Sequence, residues 1–180
     1  MNVSVDAHVN VLVTARLNLR ELRLGDAAFI LQLLNEDGFL RFIGDKGVRT
    51  LADAREYILK GPMDSYRRHG FGLYLTSLRD GTPIGICGLV KRATLPDVDV
   101  GFAFLTQHWS KGYASESAAA VLQRGRELGL GRIVAITSPE NLGSMAVLAK
   151  IGLRLERSIQ LTRDGPALNL FGPRPPPGRA

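Results

Sequence analysis

The sequence predicts an α/β protein built on one mixed sheet, and three observations carry that prediction. Stretches with apolar residues at helical spacing take turns with stretches in which apolar and polar residues alternate one for one. A hairpin signal sits mid-chain, with Arg79-Asp80-Gly81-Thr82 as its turn. A strand-like run, Asp97 to Leu105, leads through a glycine-bearing turn, Gln107 to Glu116, straight into an apolar helix.

Taken in order, Leu17, Leu19, Leu22 and Leu24 predict a strand that reaches Gly25. Asp26 then caps a helix whose apolar face is Ala27, Phe29-Ile30-Leu31 and Leu33-Leu34. Thr50-Leu51-Ala52-Asp53 has the form of a capping box, with Asp in place of Glu or Gln, and opens a second helix through Tyr57-Ile58-Leu59. Pro62 starts a further helical stretch ending near Gly70. Phe71 to Leu78 and Ile84 to Val90 are the hairpin strands, and Val98 to Leu105 is the next strand. A helix over 112–129, a strand from Ile133 to Thr137, a helix over 141–150 and a strand from Leu153 to Leu161 follow. Arg163-Asp164-Gly165-Pro166 turns the chain into a last short strand.

The expected organisation is an N-terminal extension over 1–13, a single domain over 14–172 and a Pro-rich flexible tail over 173–180. The alternating Val3, Val5, Val9, Val11 and Val13 leave the order of the extension open. There is no internal repeat.

At 180 residues and 45% hydrophobic, the chain is long enough for one substantial core. Its single cysteine excludes an internal disulfide and a multi-cysteine zinc site, and the three histidines share no ligand spacing, so no metal is expected. No apolar run approaches a membrane span and no signal-peptide order opens the chain, which predicts a soluble cytoplasmic protein with no membrane partner. A net charge of +6 and a pI near 9.9 admit nucleic acid, an anionic membrane or an anionic ligand. The longest purely basic runs are only Arg67-Arg68 and Lys91-Arg92, without interleaved aromatics, which argues against a nucleic-acid surface.

The turn Trp109-Ser110-Lys111-Gly112-Tyr113-Ala114-Ser115 is the chemical centre of the sequence. The first N–H groups of a helix lack intrahelical acceptors and the helix dipole adds positive charge there, so such a turn receives phosphate. Lys111 precedes its glycine and no Gly-Lys-Ser/Thr follows, which excludes a Walker loop, and one glycine is too few for a dinucleotide fingerprint.

The turn resembles the acyl-CoA pyrophosphate loop of the GNAT N-acetyltransferases, Arg/Gln-x-x-Gly-x-Gly/Ala, with Trp109 departing at the first position. That Trp is similar to the branch containing the ribosomal-protein N-terminal acetyltransferases. The resemblance extends from about Thr14 to about Leu161. Thr14-Ala15-Arg16-Leu17-Asn18-Leu19-Arg20 resembles the branch's opening strand, Pro83 to Leu89 its third strand, and Asn141-Leu142-Gly143-Ser144 with Leu148 to Leu153 the segment that closes the CoA cleft.

The resemblance implies a central, mostly antiparallel sheet flanked by helices, acetyl-CoA as co-substrate, and an amine acceptor that attacks the thioester directly. The acceptor is a peptide N-terminus or a small amine, and a homodimer is common among such proteins. Trp109 to Ser115 hold the pyrophosphate. Lys111 either points its charge at phosphate or is a solvated loop lysine, and Trp109 anchors the turn by packing.

For the base, strand alternation puts Asp99, Gly101, Ala103 and Leu105 on one face, and related enzymes often place Glu at the Asp99 position. The shorter Asp99 reaches the amine through a bridging water; the competing reading is a solvated residue at a strand start. Glu156 is a second candidate base or an exposed strand residue. The resemblance gives the oxyanion donor as the backbone N–H of Ala103, with strand groups near Phe104 and Leu105 bonding the pantetheine arm.

The family's general-acid Tyr position is Leu148 here, which leaves Ser144 for that role and Asn141 as a pantetheine partner; both residues also fit ordinary helix N-terminal chemistry. Cys87, flanked by Ile86, Gly88 and Leu89, reads as a small core residue rather than a nucleophile. The opposing function class is a non-catalytic CoA-binding or nucleic-acid-associated module that kept the cleft and lost the chemistry.

Overall fold

The computed structural model describes residues 10–174. Eight strands form one sheet in the order β1-β2-β3-β4-β5-β6-β8-β7. They are β1 (Asn10–Val13), β2 (Leu17–Glu21), β3 (Leu73–Leu78), β4 (Pro83–Lys91), β5 (Val98–Phe104), β6 (Ile133–Thr137), β7 (Leu153–Ile159) and β8 (Leu168–Pro173). Every neighbouring pair is antiparallel except β5 and β6. The helices are α1 (Ala27–Leu34), α2 (Asp37–Phe42), α3 (Leu51–Ile58), α4 (Asp64–His69), α5 (Tyr113–Glu127) and α6 (Leu142–Lys150).

Two apolar layers cover the two faces. On one, α5 and α6 lay Ala118, Val121, Leu122 and Leu148 against Leu89, Val100 and Phe104. On the other, α1 and α3 lay Ile30, Leu33, Ala54 and Ile58 against Leu75, Ile86 and Ala103. Successive β5 residues thus serve opposite layers, as a pleated strand requires.

Several elements differ from the sequence expectation. The first long strand ends at Glu21, and a 3-10 turn at Leu24–Asp26 follows. Asp26 does not cap α1; its carboxylate accepts from the Arg23 N–H and pairs with Arg20, two partners that outcompete the helix terminus. Thr50 and Asp53 form the expected capping box. Pro62 does not begin a separate helix. It sits in a π turn, Leu59–Met63, that joins α3 to α4, and α4 stops at Gly70 in the left-handed region.

Helix α2 was not expected from the sequence, because Asp37-Gly38-Phe39-Leu40-Arg41-Phe42 is too short to show a period. Val11 and Val13 belong to β1, while Val3, Val5 and Val9 lie outside the described residues. Strand β7 ends at Ile159 rather than Leu161. The final strand inserts between β6 and β7 and runs through Gly172 and Pro173, opposite Arg154 and Leu153, so strand pairing takes in the first residue of the expected tail. Residues 175–180 of that tail lie outside the described residues. Among the described residues, no helix is long and apolar enough to cross a membrane.

Candidate functional site

The site begins where the sheet comes apart. Strands β5 and β6 pair only through Val98↔Ile133 and Asp99↔Val134 and then diverge. Into the wedge opens a cleft of about 1060 Å³, walled by β5 from Asp99 to Ala103, by β6 from Ala135 to Thr137, and by Asn141, Ser144 and Leu148 of α6.

The ladder decides which backbone groups face that wedge. The Leu105 N–H donates to Ile84 O across from it at 3.0 Å, and the β4–β5 register runs unbroken. Antiparallel N–H groups alternate sides, so those of Ala103, Gly101 and Asp99 also face β4, while those of Phe102 and Phe104 face away from β4. The Leu89 N–H donating to Gly72 O gives the same parity from the β3 side. Trp109 Nε1 confirms it, donating at 2.8 Å to the Phe104 carbonyl that a β4-facing residue could not offer.

Two expected backbone roles change as a result. The Ala103 N–H is committed to the ladder and cannot be the oxyanion donor; the cleft-lining N–H with no strand partner is that of Phe102. Leu105 is committed as well, its N–H to Ile84 and its carbonyl to His108. Phe104 keeps an N–H on the wedge side while its carbonyl is taken by the indole.

Beyond β5, a 3-10 turn at Thr106–His108 leads into Trp109 to Gly112. Ser110 and Gly112 both take positive φ, 59° and 81°, which curls the turn over the start of α5. Glu116 is the first α5 residue whose N–H finds a backbone acceptor, Gly112 O, so the N–H groups just before it have no helical partner. Trp109 anchors the turn: its indole lies where a Cβ on Gly38 would meet Cη2 at 2.4 Å, and its ring centroid is 6.5 Å from that of Phe42. Only glycine at position 38 permits that approach.

Arg16 staples the turn from β2's side. Its Nε meets Glu116 at 2.6 Å, its Nη1 donates to Lys111 O at 2.9 Å, and its guanidinium sits 4.7 Å from the Tyr113 ring centre. Burial alone would raise the Glu116 carboxyl's pKa, but hydrogen bonds from Thr14 and Arg16 hold it below the usual range. A carboxylate in the first turn of α5 would oppose an incoming phosphate, and Arg16 neutralises it. Arg16 has no local sequence signature for this role, because it acts on Glu116 from 100 residues away along the chain.

Asp99 is 1% exposed, so it is not a solvated strand start. Its Oδ1 accepts from Arg92 Nε at 2.9 Å and its Oδ2 from Nη2 at 3.3 Å. Burial pushes its carboxyl above the ordinary range while the Arg92 charge pulls against it. Glu156, in contrast, sits on β7 paired with Arg132 at 2.5 Å and does not line the cleft.

Asn141 caps α6, its Oδ1 accepting from the Ser144 N–H at 3.0 Å, and both residues also line the cleft. The cap uses one side of the Asn141 amide and only the backbone of Ser144. The Ser144 hydroxyl keeps its donor. Leu148, at the expected acid position, is buried. Cys87 is buried, with its thiol pushed up to about 12 by burial, and it faces Ser117 rather than the cleft. Among the described residues, no group of three or more His, Cys, Asp or Glu could hold a metal ion.

Comparison with known proteins gives one consistent result. The family described as Acetyltransferase (GNAT) domain matches residues 16–154. The protein named uncharacterized N-acetyltransferase YnaD, from Bacillus subtilis (strain 168), is 32% identical over 147 residues, covering 81% of this chain and 83% of its own. The acetyltransferase from Agrobacterium tumefaciens str. C58 superposes with a TM-score of 0.76 at 25% identity, covering 89% of this chain and 92% of that one. RimL, a ribosomal L7/L12 alpha-N-protein acetyltransferase solved in complex with coenzyme A, shares the fold at a TM-score of 0.78 and 17% identity, over 91% of this chain and 97% of its own.

Proposed function

The chain belongs to the GNAT acetyltransferase family and is an acetyl-CoA-dependent acetyltransferase; from that premise we propose that it acetylates a primary amine by direct attack on the thioester. The observation that carries this reading is the wedge between β5 and β6, with an unpartnered N–H on its wall and a buried carboxylate at its apex.

In this reading the turn from Trp109 to Ser115 receives the pyrophosphate through its backbone N–H groups, with the Lys111 charge beside it. Trp109 acts through its backbone, since its indole is occupied. Phe104 N–H and the Asn141 amide hold the pantetheine arm. The acetyl carbonyl oxygen gains negative charge as the amine attacks, and the Phe102 N–H donates to it. Asp99 takes the proton that the ammonium must lose, directly or through one water; its raised pKa brings it closer to a base that works near neutrality. The Ser144 hydroxyl gives a proton to the departing thiolate. The proposed organisation is a single acetyltransferase domain over 14–172, to which β1 (Asn10–Val13) of the N-terminal extension adds an edge strand.

The test is steady-state thiol release by wild type, Asp99→Ala and Ser144→Ala, with folding checked by circular dichroism. Asp99→Ala lowers kcat by about 10²-fold or more if it is the base. A loss below about threefold removes Asp99 from that role. Ser144→Ala lowers kcat with the KM for acetyl-CoA little changed; an unchanged kcat removes Ser144 as the acid.

A further inference from the structure

The cleft is electrostatically lopsided, and the imbalance identifies what the acceptor carries besides its amine. Six cationic side chains line it against two carboxylates, Asp64 and Asp99. Most of the cations are already answered: Lys60 by Glu56, Arg68 by Asp64, Lys91 by the Pro96 carbonyl and Arg92 by Asp99. Lys46 is not. It has no hydrogen bond and no ion pair among the described residues, and Arg41 has only the Phe42 ring, 4.9 Å away.

Lys46, Arg92, Tyr57 and Asp99 belong to one corner of the cleft. Arg92 binds Asp99 directly, and its charge acts on both Lys46 and Tyr57. Asp99 uses Nε and Nη2 of Arg92, which leaves Nη1 undonated. Tyr57 lines the cleft, and its hydroxyl has no hydrogen-bond partner among the described residues. Lys46, the Tyr57 hydroxyl and Nη1 of Arg92 therefore line the same cleft as the Asp99 carboxylate with no protein acceptor among the described residues, Lys46 on an exposed side chain that a ligand can reach. Partial burial of the ammonium, and after it the Arg92 charge, lower the Lys46 pKa.

We propose that this corner binds an anionic group of the acceptor, so that the substrate is an amine bearing a carboxylate or a phosphate, held by Lys46, Arg92 and Tyr57. The inference rests on the acetyl-transfer reading above and narrows its acceptor. Polyamines and aminoglycosides, which would bring further positive charge to the same corner, are disfavoured by it.

The test measures thiol release from acetyl-CoA by the full chain with O-phosphoserine, serine, glutamate and an acidic Ser-Asp-Glu peptide amide, against serinamide and spermidine. At least one anionic acceptor exceeds serinamide and spermidine by about tenfold or more in kcat/KM, and the arms separate phosphate from carboxylate and free acid from peptide side chain. Lys46→Glu lowers that kcat/KM by about tenfold or more through acceptor KM, leaving the KM for acetyl-CoA unchanged. Preference for serinamide or spermidine, or indifference to Lys46→Glu, overturns the proposal. If none of the amines releases thiol, calorimetry on the CoA-loaded protein decides. Binding of O-phosphoserine or glutamate that Lys46→Glu abolishes upholds the anion site while refuting the transfer reading, and no binding of any anion overturns the site.

Discussion

Replacing Arg92 with Met would expose how the apex of the cleft is held. Met keeps an apolar stem and removes the charge, so Asp99 stays buried with no countercharge. Breaking a fully buried pair in this way costs roughly 3–5 kcal/mol. Here Asp99 is 1% exposed but Arg92 is 36% exposed, so solvent shares the screening and about 2–3 kcal/mol is the expected loss near pH 8. In a chain of this size that lowers Tm by roughly 4–12 °C.

The loss depends on pH in a definite direction. The folded Asp99 pKa lies above its unfolded value, so between the two the unfolded state binds fewer protons and stability falls as pH rises. Without Arg92 the folded pKa climbs further, and the deficit of the variant shrinks as pH falls toward 5. Denaturant melts of wild type, Arg92→Met, Asp99→Asn and the double variant at pH 8 and pH 5 read this out. Asp99→Asn costs only about 1 kcal/mol, because the partly exposed Arg92 side chain can turn its charge to water, and the double variant recovers much of the Arg92→Met loss. A deficit that is equal at both pH values, or below about 0.5 kcal/mol, refutes the buried-pair account.

Two further outcomes follow from the same geometry. Gly112→Asp puts a carboxylate at the mouth of the phosphate turn, on backbone at φ +81° where a Cβ comes within 3.2 Å of Arg16 Nη2; calorimetry should show CoA binding weakened by about 100-fold or more, with a folding cost of only about 1–2 kcal/mol, and retained affinity would mean the turn does not hold the pyrophosphate. Cys87, with its thiol raised to about 12 and no exposed surface, should not react with Ellman's reagent at pH 8 until the chain is denatured, whereas prompt native labelling would reopen a cysteine acyl-enzyme.

The sequence made most of the strands and the long helices legible because each carries its own period. Asp97 to Leu105 alternates cleanly and became β5; the 112–129 stretch has a helical apolar face and became α5. Helix α2 and the π turn at Pro62 escaped because six residues hold no readable period and a proline fits equally a helix start or a helical interior distortion. The phosphate turn was readable as a local string, whereas the backbone donor on β5 was not. Which of two adjacent N–H groups faces the cleft depends on pairing with β4, whose Ile86 and Cys87 sit opposite Ala103 and Phe102, and a shift of one residue moves the donor from Ala103 to Phe102. Asp99 was visible as a candidate, but its partner Arg92 was hidden by the loop between them. Lys46 had no sequence signal at all, since its meaning comes only from the groups the fold brings beside it.

Incubating the full chain with acetyl-CoA and the amine panel, following thiol release and identifying the product by mass spectrometry, decides whether the protein is an amine acetyltransferase. Direct transfer gives amine-dependent thiol release in step with an N-acetylated product. Binding of acetyl-CoA with no acetylated amine across the panel, or no binding at all, would contradict it.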